Sequence, residues 1–193
     1  MKRALALCCW LAACAPTLPP AYVHARDGAE SAYGKGQFDL AAQSWLEAAK
    51  TAQTARDRSE ARYRAATSYE RAGQIDQARA MYELLAGGKS ERAPRAAFAL
   101  ADLRLRGGDE AGGYAALEAA FRKYPSSGVA GLALRRYFAE LAEHGGDEAV
   151  LSYIAQAEPA LDQTELSEQL LYERARRLDA LGKVTEARDA YLI

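Results

Sequence analysis

An all-α fold built from about five helix-turn-helix units is what the sequence predicts, and three observations predict it. The stretch Gly36-Gln37-Phe38-Asp39-Leu40-Ala41 returns nearly intact as Gly73-Gln74-Ile75-Asp76-Gln77-Ala78. A looser copy is Gly182-Lys183-Val184-Thr185-Glu186-Ala187, and Gly107-Gly108-Asp109-Glu110-Ala111 is repeated letter for letter as Gly145-Gly146-Asp147-Glu148-Ala149. The steps from Gly36 to Gly73, Gly108, Gly145 and Gly182 are each roughly 35 to 37 residues, a period that belongs to helical repeat arrays. Composition agrees with this. Ala, Leu, Glu, Arg and Gln dominate, Gly serves mostly as punctuation and Asn is absent, a balance that favours helix over strand.

The first residues read differently from the rest. All three cysteines, Cys8, Cys9 and Cys14, fall here, so no disulfide framework can hold the repeat region together. Lys2 and Arg3 form a cationic start, residues 4–11 an apolar run too short to span a bilayer, and Leu11-Ala12-Ala13-Cys14 closes it with small residues. This segment resembles the lipobox of bacterial lipoproteins. The resemblance implies a signal peptide over residues 1–13 and lipidation of Cys14, with an acyl anchor that holds the protein on a membrane without crossing it. Ala15 after the cysteine, where an aspartate would signal otherwise, implies an outer-membrane address facing the periplasm. An ordinary secretory signal with incidental cysteines is the alternative. Residues 14–21, with Pro16, Pro19 and Pro20, read as a short extended tether. The repeat region is then 22–193.

Each unit reads as two helices flanking a Gly turn, where Gly reaches positive φ at a helix C-terminus and the chain reverses. Asp39, Asp76, Asp109 and Asp147 then suit the start of the second helix, as caps or first-turn acids. That role accounts for the recurring acids without general acid/base chemistry. In unit one, Ala29 and Tyr33 precede the turn while Ala41, Trp45 and Ala48 follow it at helical spacing. Unit two repeats this with Ala66 and Tyr69, then Ala78, Tyr82 and Leu85. Unit three has Ala101, then Leu117 and Ala120, and ends at Tyr124-Pro125, where proline stops the helix. Unit four offers Phe138 and Leu141, then Val150, Ile154 and Ala157 before Pro159. Ala175, Leu178, Ala187 and Tyr191 restore the pattern in unit five. Asp57 with Glu60 and Asp162 with Glu165 read as capping boxes opening units two and five. The chain stops at Ile193 within a short second helix, so a continuation, a fragment or a covering partner is expected there, the first two before the last.

Small residues in both helices and an aromatic in the second, as in Ala66, Ala78 and Tyr82, resemble the tetratricopeptide repeat. The likeness covers roughly residues 22–193 and is strongest in units one, two and five, although the period exceeds that family's 34 by one to three residues. It implies a right-handed α-solenoid whose first helices line a concave groove. Carried over residue by residue, it places Arg26, Tyr63, Phe98, Arg135 and Tyr172 at one level of that groove, with Tyr33, Glu70, Asp102, Arg176 and Asp179 nearby. Arg and aromatic residues anchor protein contacts well. The alternative is that the rings pack between helices and the arginines are solvated. A two-Asn clamp for a C-terminal carboxylate cannot form without Asn.

Chemistry is hard to place anywhere else. The two histidines, His24 and His144, stand three repeats apart with no Cys near them in the repeat region, so no metal site is expected. The serines lack a nucleophile-elbow context and the glycines follow helices, not strands, which leaves out phosphate-cradling loops. No cofactor and no catalytic set is expected. A formal net charge of −1 and the lack of an aromatic-interleaved basic stretch argue against nucleic acid. The reading is therefore a non-enzymatic, membrane-tethered adaptor that binds an envelope protein or peptide, by analogy a helper in outer-membrane complex assembly. Two rivals remain. One is the helical scaffold of a cell-wall enzyme such as a lytic transglycosylase, with its catalytic domain outside this chain, and the other is a structural spacer without a ligand.

Overall fold

A computed structural model describes residues 18–192. The proposed leader over 1–13, the proposed lipidation site Cys14 and the terminal Ile193 lie outside the described residues. Within them the protein is all-α: nine helices and no strand. In chain order these are α1 (Pro20–Gly34), α2 (Phe38–Thr51), α3 (Ala55–Arg71), α4 (Ile75–Ala86), α5 (Ala93–Arg106), α6 (Glu110–Lys123), α7 (Ala130–Leu161), α8 (Ser167–Ala180) and α9 (Val184–Tyr191). Helix α1 starts at Pro20, two residues before the expected boundary, because a proline in the first turn has the right φ and needs no helical donor.

Four helix pairs turn in the same way. In α1–α2 the amide of Gln37 donates to Ala32 O at 2.9 Å and that of Gly36 to Tyr33 O at 3.0 Å. The same two bonds recur at Gln74 and Gly73, at Asp109 and Gly108, and at Lys183 and Gly182. This is the Schellman closure, which requires a left-handed residue, and the glycines there have φ of 74°, 76°, 83° and 74°. The remaining, fifth pair lies within α7. It runs as one element but breaks at Gly146, with φ 70° and ψ −172°, into arms 130–145 and 147–161. The expected turn glycine was Gly145. The backbone puts the reversal on Gly146, the true counterpart of Gly108 in the repeated five-residue string, while a Cβ on Gly145 would come within 2.6 Å of the Ala149 side chain.

Each helix packs on its neighbours in the chain, and the core is a run of local clusters. One joins α1, α2 and α3 around Trp45 and Ala61, the next joins α3, α4 and α5 around Tyr82 and Leu103, and the third spans α5 to α8 around Phe121, Leu134 and Ile154. The small residues expected before the turns, Ala29, Ala66, Ala101 and Ala175, are all fully buried, as are Ala41 and Ala78 after them. Unit three uses Gly113 at the latter place, where a Cβ would meet Leu105 Cγ and Cδ2 at 2.6 Å. Without a side chain there, α6 comes close to α5.

Two local expectations are corrected. Helix α3 is capped by Thr54, whose Oγ1 accepts from the Asp57 amide at 3.0 Å and donates to the Asp57 carboxylate at 2.7 Å. The box is Thr54 with Asp57, not Asp57 with Glu60. Asp162 with Glu165 forms none: Asp162 follows α7 and accepts from the adjacent Gln163 amide, and α8 begins only at Ser167 with no side-chain cap. Helix α7 continues through Pro159 to Leu161. The carbonyl of Ala155, which Pro159 leaves without a donor, belongs to an exposed residue where water can satisfy it. Tyr124-Pro125, in contrast, does stop α6.

Candidate functional site

The first helices of successive pairs are α3, α5 and the first arm of α7, and between them lies a groove of about 310 Å³. Tyr63 of α3 forms one wall, Phe98, Ala99 and Leu105 of α5 the floor, and Leu132 and Tyr137 of α7 the other wall. The floor is built by aromatic packing from below. Phe98 lies 5.4 Å, ring to ring, from Phe121 of α6, and Tyr137 lies 5.3 Å from Tyr114. Phe98 is 7 % exposed, whereas Leu132 on the far wall is 57 % exposed, a large apolar side chain at an open edge.

Polar groups cross the same region in a ladder. Glu70 of α3 accepts from the Tyr82 hydroxyl at 2.9 Å and is paired with Arg106 of α5. Arg106 also holds Asp102 at 2.9 Å, and Asp102 in turn holds Arg136 of α7 at 3.0 Å. Three consecutive first helices are thus tied by alternating charges. Burial, reinforced by the Glu70 charge, pushes the Tyr82 phenol well above its ordinary range, and burial with Glu118 does the same for Tyr137. Tyr63 is raised by burial too, while Arg95 and Arg92 pull it the other way, and Arg92 stands over the Tyr63 ring at 5.7 Å. Two further charges line the groove, Arg95 and Glu140, and neither forms an ion pair among the described residues.

Of the residues expected at the groove, Tyr63, Phe98 and Asp102 line it together, and Glu70 stands behind it as the first rung of the ladder. Arg135 does not line it. It is exposed on α7, and Arg136 takes the place beside Asp102 because the turn glycine is Gly146, one residue later than assumed. Arg26 lies on α1 paired with Asp27 at 2.9 Å, away from the groove. Tyr33 packs edge-on against Phe38 at 5.1 Å and borders a separate cavity of about 300 Å³ with Trp45 and Arg64. Tyr172, 60 % exposed on α8, faces Tyr191 at 6.3 Å, and Arg176 sits 3.4 Å from Glu173. Asp179 is exposed on the same helix. Arg95, Arg136 and Glu140 were not anticipated. For Arg136 the signal was present, since aligning the two Gly-Gly-Asp-Glu-Ala strings puts it level with Phe98.

Among the described residues no cluster of His, Cys, Asp and Glu has the arrangement of a metal site, and no helix is long and apolar enough to cross a membrane. His144 is exposed, with Nδ1 2.8 Å from the Glu140 carbonyl oxygen at the end of the first arm of α7, and that contact raises its pKa. A scan against protein-family models matches none, and a search of curated proteins returns no significant match.

Proposed function

We propose that the chain is an α-solenoid of five tetratricopeptide-like units that is held on a membrane through an acylated Cys14 and binds a protein or peptide partner in the bacterial cell envelope. The solenoid reading is supported by five positive-φ glycines spaced 35 to 38 residues apart, each between two helices or helix arms, and by packing that runs from neighbour to neighbour. The observation that carries the binding reading is the groove over α3, α5 and α7. It joins an apolar floor to a rim of arginines and carboxylates, the composition of protein-recognition surfaces. Its volume is at the low end for ligand clefts, which suits the side chains of a short segment. The anchor and the outer-membrane address rest on the lipobox-like Leu11-Ala12-Ala13-Cys14 and on Ala15. A role in assembling outer-membrane complexes follows by analogy of plan alone.

Two substitutions test the two halves separately. Leu132→Asp places a charge on the exposed edge of the groove without disturbing buried packing, and it should abolish recovery of the bound partner while leaving the helical circular dichroism unchanged. Undiminished recovery would remove the groove from the account. Cys14→Ser should eliminate metabolic labelling by radioactive palmitate and release the protein from the membrane fraction; persistent labelling would place the acyl group elsewhere.

A further inference from the structure

We infer that the groove selects a short extended peptide segment in which an apolar side chain has an acidic side chain two positions to one side and a basic one two positions to the other, the acid meeting Arg95 and the base meeting Glu140. The inference rests on the reading of the groove as a peptide site and adds what that site would choose.

The argument is one of charge placement. Of the ionic groups at the groove, Asp102 and Arg136 neutralise each other across its middle, and Arg106 and Glu70 complete the same ladder. Arg95 and Glu140 are left without an ion pair among the described residues, and they stand at opposite ends. Arg95 lies in the first turn of α5, where its charge acts on the Tyr63 phenol. Glu140 lies near the end of the first arm of α7, where its charge acts on Tyr114 and Tyr137. Between them Phe98, Leu132 and Ala133 provide an apolar surface beside the Asp102–Arg136 pair.

Size sets the length of the occupant. From Arg95 to Leu105 the groove follows α5 for about 15 Å at 1.5 Å per residue. An extended chain covers that distance in four to five residues at about 3.3 Å each. Successive side chains of an extended chain point to opposite faces, so an acid and a base four positions apart, about 13 Å, face the same way and reach both ends while the apolar side chain midway between them meets the floor. A segment with two like charges would bring one of them against its own sign, and like-charge juxtaposition is how interfaces reject wrong partners.

The test uses the full chain in detergent and three capped, fluorescently labelled heptapeptides followed by anisotropy: Gly-Asp-Ser-Phe-Ser-Lys-Gly, Gly-Asp-Ser-Phe-Ser-Asp-Gly and Gly-Lys-Ser-Phe-Ser-Lys-Gly. The mixed-charge peptide should bind about tenfold more tightly than either like-charged one, the difference expected from matched against mismatched pairs at a partly exposed rim. Arg95→Glu should move the preference to the dibasic peptide and Glu140→Lys to the diacidic one. Equal affinities for all three, lowered alike by Leu132→Asp, would overturn the charge selection and leave the peptide groove standing. Absence of binding by all three would overturn both.

Discussion

The Arg136 guanidinium stands 3.0 Å from the Asp102 carboxylate, on two helices that are not consecutive in the chain, and Asp102 holds Arg106 at 2.9 Å with its other oxygen. One carboxylate therefore joins two guanidiniums beside the groove. Arg136 and Arg106 are largely exposed, so each pair is screened and adds little to stability. Asp102→Ala should cost about 1 kcal/mol or less in urea denaturation, and the loss should shrink in high salt. A salt-independent loss of several kcal/mol would mean that Asp102 has a packing role that its exposure does not indicate.

A second ionic group is more buried. Arg177 of α8 donates from Nη1 to Asp147 at 2.6 Å and from Nε to Glu173 at 2.7 Å, with side-chain exposures of 13 % for Arg177 and 10 % for Glu173. Asp147 immediately follows the Gly146 break, so this cluster fastens α8 to the second arm of α7. Removing the cation leaves two carboxylates facing each other in a poorly hydrated place. Arg177→Ala should destabilise by about 3 kcal/mol, measured by chemical denaturation, and adding Glu173→Leu should recover part of that loss.

The contact between α5 and α6 predicts a steric effect. Gly113→Ala would put a methyl 2.6 Å from Leu105 Cγ and Cδ2, with the Leu105 amide nitrogen at 3.0 Å behind it. Overpacking at such a site costs about 1–3 kcal/mol. Thermal unfolding should show a lowered Tm, and Leu105→Ala in the Gly113→Ala background should relieve the clash. An unchanged Tm would show that α6 can move away freely.

Tyr82 predicts an alkaline effect. Burial, then the Glu70 charge and the hydrogen bond to it, raise the phenol in the folded state above its unfolded value near 10. A group raised by folding keeps its full contribution below the unfolded pKa and loses it as pH rises toward the folded one. Stability from this source is thus complete below about pH 10 and declines above it. Tyr82→Phe should flatten part of that decline, and phenolate absorbance should show fewer tyrosines titrating in the folded protein than in the denatured one.

Much of the fold could be read directly because repeated small residues leave little choice. Ala29, Ala66, Ala101 and Ala175 recur seven positions before their turn glycines, and each is buried where two helices meet. What could not be read was the conformation inside unit four. The string Gly-Gly-Asp-Glu-Ala forms a Schellman turn at Gly108, yet at Gly146 the same letters give an extended ψ of −172° between two helix arms that fold back on each other, with the Tyr137 and Tyr153 rings 4.8 Å apart. Local sequence is identical there, so tertiary packing decides. Part of that packing is Arg177, distant in sequence, on Asp147. Part of the lining of the cavity between α3, α5 and α7 was legible in the sequence. Tyr63, Phe98 and Asp102 came from carrying the tetratricopeptide pattern onto the repeat, whereas Arg136 in place of Arg135 depended on which glycine carries the reversal. Arg26 and Tyr172 share the periodic level, and Tyr33 and Arg176 stand near it, but all four lie on helices outside the three that enclose the groove.

Site-specific photocrosslinking in intact cells tests the groove most directly. A photoreactive residue is placed at Leu132 or Tyr63, within the groove, and separately at Leu40 or Leu84, which are exposed on the second helices α2 and α4. The account predicts that Leu132 and Tyr63 give an adduct with the same partner, that Arg95→Glu weakens it, and that Leu40 and Leu84 give none. Adducts formed equally from all four positions, or only from Leu40 and Leu84, would contradict it.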